Sequence, residues 1–419
     1  MTRPGYKLTE IGEIPEEWVL KKLAEVSESR REIVEPLKNK FELYVGLENI
    51  TPGKIKISTF GDSTVLKSSK FKFYKSDILY GKLRPYLDKV AVAEQDGICS
   101  TDIIPIIGNQ MDSYFLVYQL HSNLFLQFAI STISGTNHPR TSWEQISHFI
   151  IPCPPLQEQQ KIAEILTTAD RKIELIDHEI QVAEKLRKGL MQTLLTRGIG
   201  HTKFKLTEIG EIPEEWTLET LHSCCDLIRD GTHTPPKRKQ KGVPLLSAVN
   251  VNSGHIDFEN NVTYISEEDY AKIHKSIPIK SGDVLMTIVG TLGRSAIVKT
   301  DLKFTVQRSV SILRPSREKL NVSYFFYSLN SERTIKQLLL HSKATAQSGI
   351  YLGDISKITL AYPPSQEQQK IAEILTTADR KIELLNKKRG EAERLKKGLM
   401  QVLLTGQVRV KAYSQDCEN

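Results

Sequence analysis

The stretch QEQQKIAEILTTADRKIEL runs from Gln157 to Leu175 and recurs letter for letter from Gln366 to Leu384. A second exact repeat, KLTEIGEIPEEW, occupies Lys7–Trp18 and Lys205–Trp216. The order along the chain is short repeat, variable stretch, long repeat, and then the same again. A repeating unit of about 200 residues is far longer than that of a solenoid. The chain has 419 residues, enough for two or three domains that each bury a core. The repeats divide it into two copies of one domain-plus-helix unit, residues 7–200 and 205–410.

The long repeat has the pattern of a helix. Pro154-Pro155 and Pro363-Pro364 precede its two copies, and proline suits the approach to a helix but not its interior. Apolar residues then alternate at steps of four and three. In the first copy they are Ile162, Leu166, Ala169, Ile173, Ile176, Ile180, Ala183, Leu190 and Leu194, interrupted by Arg187. In the second they are Ile371, Leu375, Ala378, Ile382, Leu385, Ala392, Leu399 and Leu403, interrupted by Arg389 and Lys396. A 3.5-residue period held over four heptads predicts a coiled coil. The natural partner of each helix is the other copy, and a twofold relation between copies makes the pair antiparallel. Glu164, Asp170, Arg171, Lys172 and Glu174 are assigned to faces that meet solvent or a polar partner. Gly198 and Gly406 are the predicted terminators. The alternative is that both are core helices of one large helical protein.

The variable stretches are related as well. Asn109–Pro155 aligns almost without gaps with Leu320–Pro364, and KSDILYGKLRPYLDKVAVA (Lys75–Ala93) parallels KSGDVLMTIVGTLGRSAIV (Lys280–Val298). Both of the latter predict a strand, a loop with glycine and arginine, and a second strand. An identical frame carrying diverged modules fits one fold that reads two different targets.

Catalytic signatures are missing. The sequence holds no phosphate loop, no G-x-G-x-x-G, no nucleophile elbow and no zinc-deaminase pattern. The five cysteines (Cys99, Cys153, Cys224, Cys225, Cys417) include no CxxC pair, so reduced thiols are expected. No apolar run approaches the length of a membrane span, and the start has no apolar segment of a signal peptide. The net charge of +7 permits an anionic partner without demanding one.

The loops carry nucleic-acid chemistry. Lys82, Arg84 and Lys89 are interleaved with Tyr80 and Tyr86, and Ser134–Trp143 adds Asn137, His138, Arg140 and Thr141. Arginine can hold guanine with two hydrogen bonds, asparagine can pair with adenine, and lysine neutralises phosphate. The second module offers Thr291, Arg294, Gln307, Arg308, Lys343, Thr345, Gln347, Ser348 and Tyr351, with Lys237 and Arg238 in a basic stretch expected to meet phosphate. Phe125–Phe128 and Phe325-Phe326 fit a core, and a core position is the alternative reading of Tyr80 and Tyr86. Trp18 and Trp216 are expected to staple each module to its helix. Nineteen identical positions exceed what a seam requires. Gln157, Glu158, Gln159, Gln160 and Lys161, with Gln366, Glu367, Gln369 and Lys370, are therefore expected to be exposed and to dock one partner molecule on each copy.

These features resemble the specificity subunit of type I restriction-modification systems. The resemblance rests on PPLQEQQKIAEIL (Pro154–Leu166), PPSQEQQKIAEIL (Pro363–Leu375) and EIPEEW (Glu13–Trp18, Glu211–Trp216), and it covers nearly the whole chain. It implies an α/β (α+β) fold with two target recognition domains and two long antiparallel coiled-coil helices in a pseudo-twofold repeat. The implied boundaries are 1–155 for the first domain, 156–198 for the central helix, 199–363 for the second domain, 364–405 for the C-terminal helix and 406–419 for a tail. Each domain would read half of a split site in double-stranded DNA. Two methyltransferase subunits would dock on the frame, and restriction subunits would join through them. This chain would hold no cofactor, S-adenosylmethionine, ATP and magnesium belonging to the partners, in a prokaryotic cytoplasm. A stand-alone DNA-binding regulator and a coiled-coil scaffold without DNA are the alternatives.

Overall fold

A computed structural model describes residues 2–35, 43–234, 236–252, 254–342 and 349–410. The chain divides into two compact units, one of residues 1–177 with 387–419, the other of residues 178–386. Among the described residues no helix is long and apolar enough to cross a membrane.

Both units follow one plan. In the first, four antiparallel strands lie in the order Ser27–Ser29, Ile103–Gly108, Ile78–Gly81, Val90–Val92. In the second the order is Cys225–Asp230, Val310–Pro315, Val284–Thr287, Ser295–Ile297. A smaller sheet beside each contains one parallel pair, Gly97–Cys99 with Tyr44–Val45 and Val243–Leu246 with Thr305–Val306. The predicted strand–loop–strand segments are Ile78–Gly81 with Val90–Val92, and Val284–Thr287 with Ser295–Ile297. Alternation puts Ile78 and Tyr80 into one core and Leu79 into another on the opposite face.

The long repeats form helices Leu156–Leu194 and Ser365–Leu403. The Pro155 and Pro364 carbonyls accept the first helical N–H groups, from Glu158 and Gln159 and from Glu367 and Gln368. Neither helix stands apart from the modules. Ile162, Leu166, Leu403 and Leu404 share one core with Trp18, Phe115 and Phe125. Leu194, Leu195, Ile371 and Leu375 share another with Trp216 and Phe325. The units therefore cut each helix in mid-course and not at 155/156 and 363/364, because the ends of both helices bury their apolar stripes in the modules.

The residues that interrupt the seam are paired. In the first unit, the Asp170 carboxylate meets Lys396 at 2.7 Å and Asp177 meets Arg389 at 2.5 Å. One number rises while the other falls by the same step, which is the register of antiparallel helices. In the second unit Arg187 pairs with Asp379, the repeat counterparts of Lys396 and Asp170. Asp170, assigned from the sequence to a polar face, is only 5% exposed. The correction has a physical cause: Tyr118 of the module donates to its carboxylate at 2.7 Å while Lys396 approaches from the other helix. Tyr327 repeats the contact with Asp379 at 2.6 Å.

The short repeat serves as the staple it suggests. Trp18 and Trp216 are 0% and 1% exposed. Each lies against a glycine just beyond the end of a long helix, Gly406 at φ +70° and Gly198 at φ +67°. A Cβ on Gly406 would stand 2.5 Å from Pro15 and 3.1 Å from Trp18, so conformation and space both require glycine there. Trp18 Nε1 donates to the buried Glu158 carboxylate at 3.0 Å, whereas Trp216 Nε1 is buried without a partner among the described residues. Trp18→Phe is therefore expected to cost about 1–2 kcal/mol more than Trp216→Phe, since the ring-to-ring volume change is common to both and only Trp18 loses a hydrogen bond. Urea unfolding of the two variants measures the difference.

Candidate nucleic-acid interface

Each large sheet ends in a hairpin loop that is joined to two neighbouring loops by backbone hydrogen bonds. In the first unit the loop after Gly81 is fixed by Lys82 N–H to the Asp102 carbonyl (2.9 Å), Thr141 N–H to the Lys82 carbonyl (3.1 Å) and Arg84 N–H to the Pro139 carbonyl (2.7 Å). In the second, Ile288 N–H reaches the Ser309 carbonyl and Ile350 N–H the Ile288 carbonyl, both at 3.0 Å. Lys82 and Ile288 thus hold the same station. Arg308 N–H donates to the Thr232 carbonyl at 3.2 Å, which brings the start of the basic stretch 234–241 to this edge.

The first hairpin loop is strained. Arg84 and Asp88 are left-handed at φ +53° and +50°, a conformation that costs a non-glycine residue about 1 kcal/mol or more. The loop is held there by the Asp88 carboxylate against His121 Nδ1 at 2.8 Å, with His121 Nε2 at 3.1 Å from the Val90 carbonyl. Arg84 is thereby presented at the surface with no side-chain partner among the described residues.

Within each unit the structure brings most of the predicted residues to this edge. Arg84, Tyr86, Asn137 and His138 are exposed in the first unit, and Lys82 is half-buried. Lys237, Arg238, Thr291, Arg308 and Tyr351 are exposed in the second. Lys343, Thr345, Gln347 and Ser348 lie outside the described residues.

Four expectations are corrected. Thr141 is buried and shares a hydrogen bond with Thr132 at 2.7 Å. Arg140 is ion-paired to Asp102 at 3.0 Å, which ties two loops together. Lys89 donates its ammonium to the Leu47 carbonyl at 2.5 Å. Arg294 donates to the Ala248 carbonyl at 2.8 Å and to Asn252 at 3.2 Å. These last three cations hold neighbouring loops of the edge together. Sequence reasoning missed what Lys89 and Arg294 hold, the short 3₁₀ turns Leu47–Asn49 and Ala248–Asn250. Their signal was an asparagine three residues after Gly46 and Ser247, the spacing at which a side chain closes such a turn.

The proposed docking face is also revised. Gln157, Gln160, Gln366, Gln369 and Lys370 are exposed and Lys161 is half-buried. Glu158 and Gln159, expected at the surface, are each 3% exposed. Glu158 accepts from Trp18, from Arg409 at 2.8 and 3.0 Å, and from the Val410 N–H. Its counterpart Glu367 is half-buried and accepts from Ile199 N–H and His201. Gln159 and Gln368 each accept from the N-cap residue of a module helix, Asp112 and Asn321. Their identity in the two copies is explained by the module–helix joint.

Comparison with known proteins gives one answer. The family described as "Type I restriction modification DNA specificity domain" matches residues 15–185 and 213–394. The type I restriction enzyme MjaVIII specificity subunit of Methanocaldococcus jannaschii is 34% identical over 75% of this chain and 75% of its own. Among solved structures, the type I restriction-modification S subunit from M. genitalium has a TM-score of 0.58 at 17% identity, covering 96% of this chain and 99% of that one. A chain from work on "complex assembly and conformational transition of the type I R-M system" has a TM-score of 0.57 at 20% identity, covering 94% of this chain and 99% of that one. The chain therefore belongs to the type I restriction-modification specificity subunits, the DNA-recognition subunits of those systems.

Proposed function

We propose that each module reads one half of a bipartite, asymmetric DNA site, that the paired helices fix the spacing of the halves, and that the helices dock two methyltransferase subunits. The observation that carries this reading is the loop edge built twice on one hydrogen-bond plan with different side chains: Lys82, Arg84 and Tyr86 in one copy, Ile288, Thr291 and Arg308 in the other. Sequence is read by side chains at base edges, while phosphate contacts fix register. Arg84, Asn137, His138 and Arg308 are the base-reading candidates, with Lys82, Lys237 and Arg238 on phosphate. Gln347 and Tyr351 join them in the second module. The chain is non-catalytic in this reading. Adenine methylation with S-adenosylmethionine belongs to the docked subunits, and ATP- and magnesium-dependent restriction to further subunits.

The docking face is what remains after internal packing is subtracted. Gln157, Gln160, Glu164, Arg171, Lys172 and Leu175 are exposed or nearly so and identical in the second copy. Leu175 and its counterpart Leu384 are 65% and 48% exposed, which suits a partner that covers an apolar side chain at the same station twice.

Methylation mapping in cells that express the chain with its methyltransferase subunit tests the arrangement. One heptad added to both helices, after Gln181 and after Leu385, retains every ion pair described above and lengthens each helix by about 10 Å. The expected methylated site keeps both half-site sequences and gains about three base pairs between them, at 3.4 Å per base pair. Altered half-site bases would sink the proposal.

A further inference from the structure

The two 3₁₀ turns at the recognition edge are closed in the same way. Gly46 N–H donates to the Asn49 side-chain oxygen at 2.8 Å, and Ser247 N–H to that of Asn250 at 3.0 Å. Both asparagines are buried, with their amides donated inward to Thr59 in the first unit and to the Asp257 and Asn260 carbonyls in the second. The carbonyl of the first turn residue is capped by a cation that ends the hairpin loop, Lys89 on Leu47 and Arg294 on Ala248. These cations occupy corresponding positions of the two modules, although one is a lysine and the other an arginine. The second turn also takes a hydrogen bond from Ala248 N–H to the Ser309 hydroxyl at 3.1 Å, next to Arg308.

One position in each turn escapes this frame. The middle residue is exposed: Glu48 in the first unit, with its carboxylate turned back over Gly46, and Val249, 56% exposed, in the second. A cation that could have bound DNA is used in both modules to hold the turn, and the side chain so presented differs in chemistry. A fixed mount with an exchanged tip is the pattern of a reading element. A carboxylate at a DNA edge is repelled by phosphate and is favourable only against a base amino group, such as cytosine N4. An isolated apolar tip suits the thymine methyl group.

We propose that these turns are base-reading elements, with Glu48 a specificity determinant for cytosine in one half-site and Val249 for thymine in the other. The inference rests on the reading of the modules as half-site readers, and the test separates the two. The full chain, assembled with methyltransferase subunits, selects duplexes from a pool randomised across both half-sites. Glu48→Gln keeps the shape and replaces an acceptor by an amide suited to adenine. The expected result is a roughly tenfold shift from cytosine to adenine at one position of one half-site. Val249→Ser is expected to relax one thymine in the other half by a similar factor. Arg84→Ala and Arg308→Ala, whose side chains lie outside the turns, serve as controls. If the controls change a half-site while Glu48→Gln and Val249→Ser change none, or weaken all sequences equally, the turns are only supports and the inference is overturned with half-site reading intact. If no variant changes any position, both fall.

Discussion

Replacing Asp170 with leucine is expected to destabilise the first unit by about 3–5 kcal/mol, the cost of breaking a buried ion pair from one side. The side chains of Asp170 and Lys396 are 7% and 12% exposed, so water does not rescue the ammonium left behind. Tyr118 also loses its acceptor; burial and the Asp170 charge push its phenol pKa up, and it stays a neutral donor. The second unit supplies an internal control. Asp379 receives the same tyrosine contact, but the Arg187 and Asp379 side chains are 32% and 36% exposed. Asp379→Leu is expected to cost about 1 kcal/mol there, in the range of a solvent-screened pair. Urea unfolding followed by tryptophan fluorescence reads Trp18 and Trp143 for the first unit and Trp216 for the second. Restoration of stability by pairing Asp170→Leu with Lys396→Met would show that the cost is the orphaned charge and not lost volume. Equal losses for the two aspartates would refute the burial argument.

The helices were legible because their signal is periodic and local. Ile162, Leu166, Ile371 and Leu375 fall on the seam and are buried, and the proline pairs mark the starts. The roles of Arg187, Arg389 and Lys396 were not, since each acquires its aspartate from a helix some 200 residues away in sequence, and only the antiparallel register reveals which one. Asp170 shows the limit most directly. Its neighbours Arg171 and Lys172 are exposed, and nothing local separates it from them.

At the recognition edge the residue types were legible and their commitments were not. Arg84 and Arg308 are exposed and have no side-chain partner among the described residues, as a loop arginine suggests. Lys89 and Arg294 have the same local signature, yet both are drawn to a carbonyl of a turn some 40 residues upstream. The Arg294 Nε is buried without a partner among the described residues, a cost accepted where a cation fixes a loop. The parallel between Lys75–Ala93 and Lys280–Val298 held the clue, because it places Lys89 and Arg294 at one station while Arg84 has no cationic counterpart in the second loop.

Glu158→Leu tests whether letter-for-letter identity in the long repeat reflects a partner or the fold. Counting four hydrogen bonds to its carboxylate, the substitution is expected to cost about 3 kcal/mol, because Trp18 Nε1 is left buried and unpaired. Arg409 is 34% exposed and also reaches Glu17 at 2.7 Å, so its charge is partly rescued and the loss stays toward the lower end for buried ion pairs. The contact further ties Arg409 and Val410, the start of the segment read from the sequence as a tail, to the helix. Gln157→Leu, one residue earlier and exposed, is expected to leave the unfolding midpoint within about 0.5 kcal/mol while weakening association with the methyltransferase subunit in a pull-down. The opposite pairing, a stable Glu158→Leu protein that fails to assemble, would return Glu158 to the docking face. Adjacent identical residues thus separate into one that joins module to helix and one that remains available to a partner, because successive residues of a helix point about 100° apart.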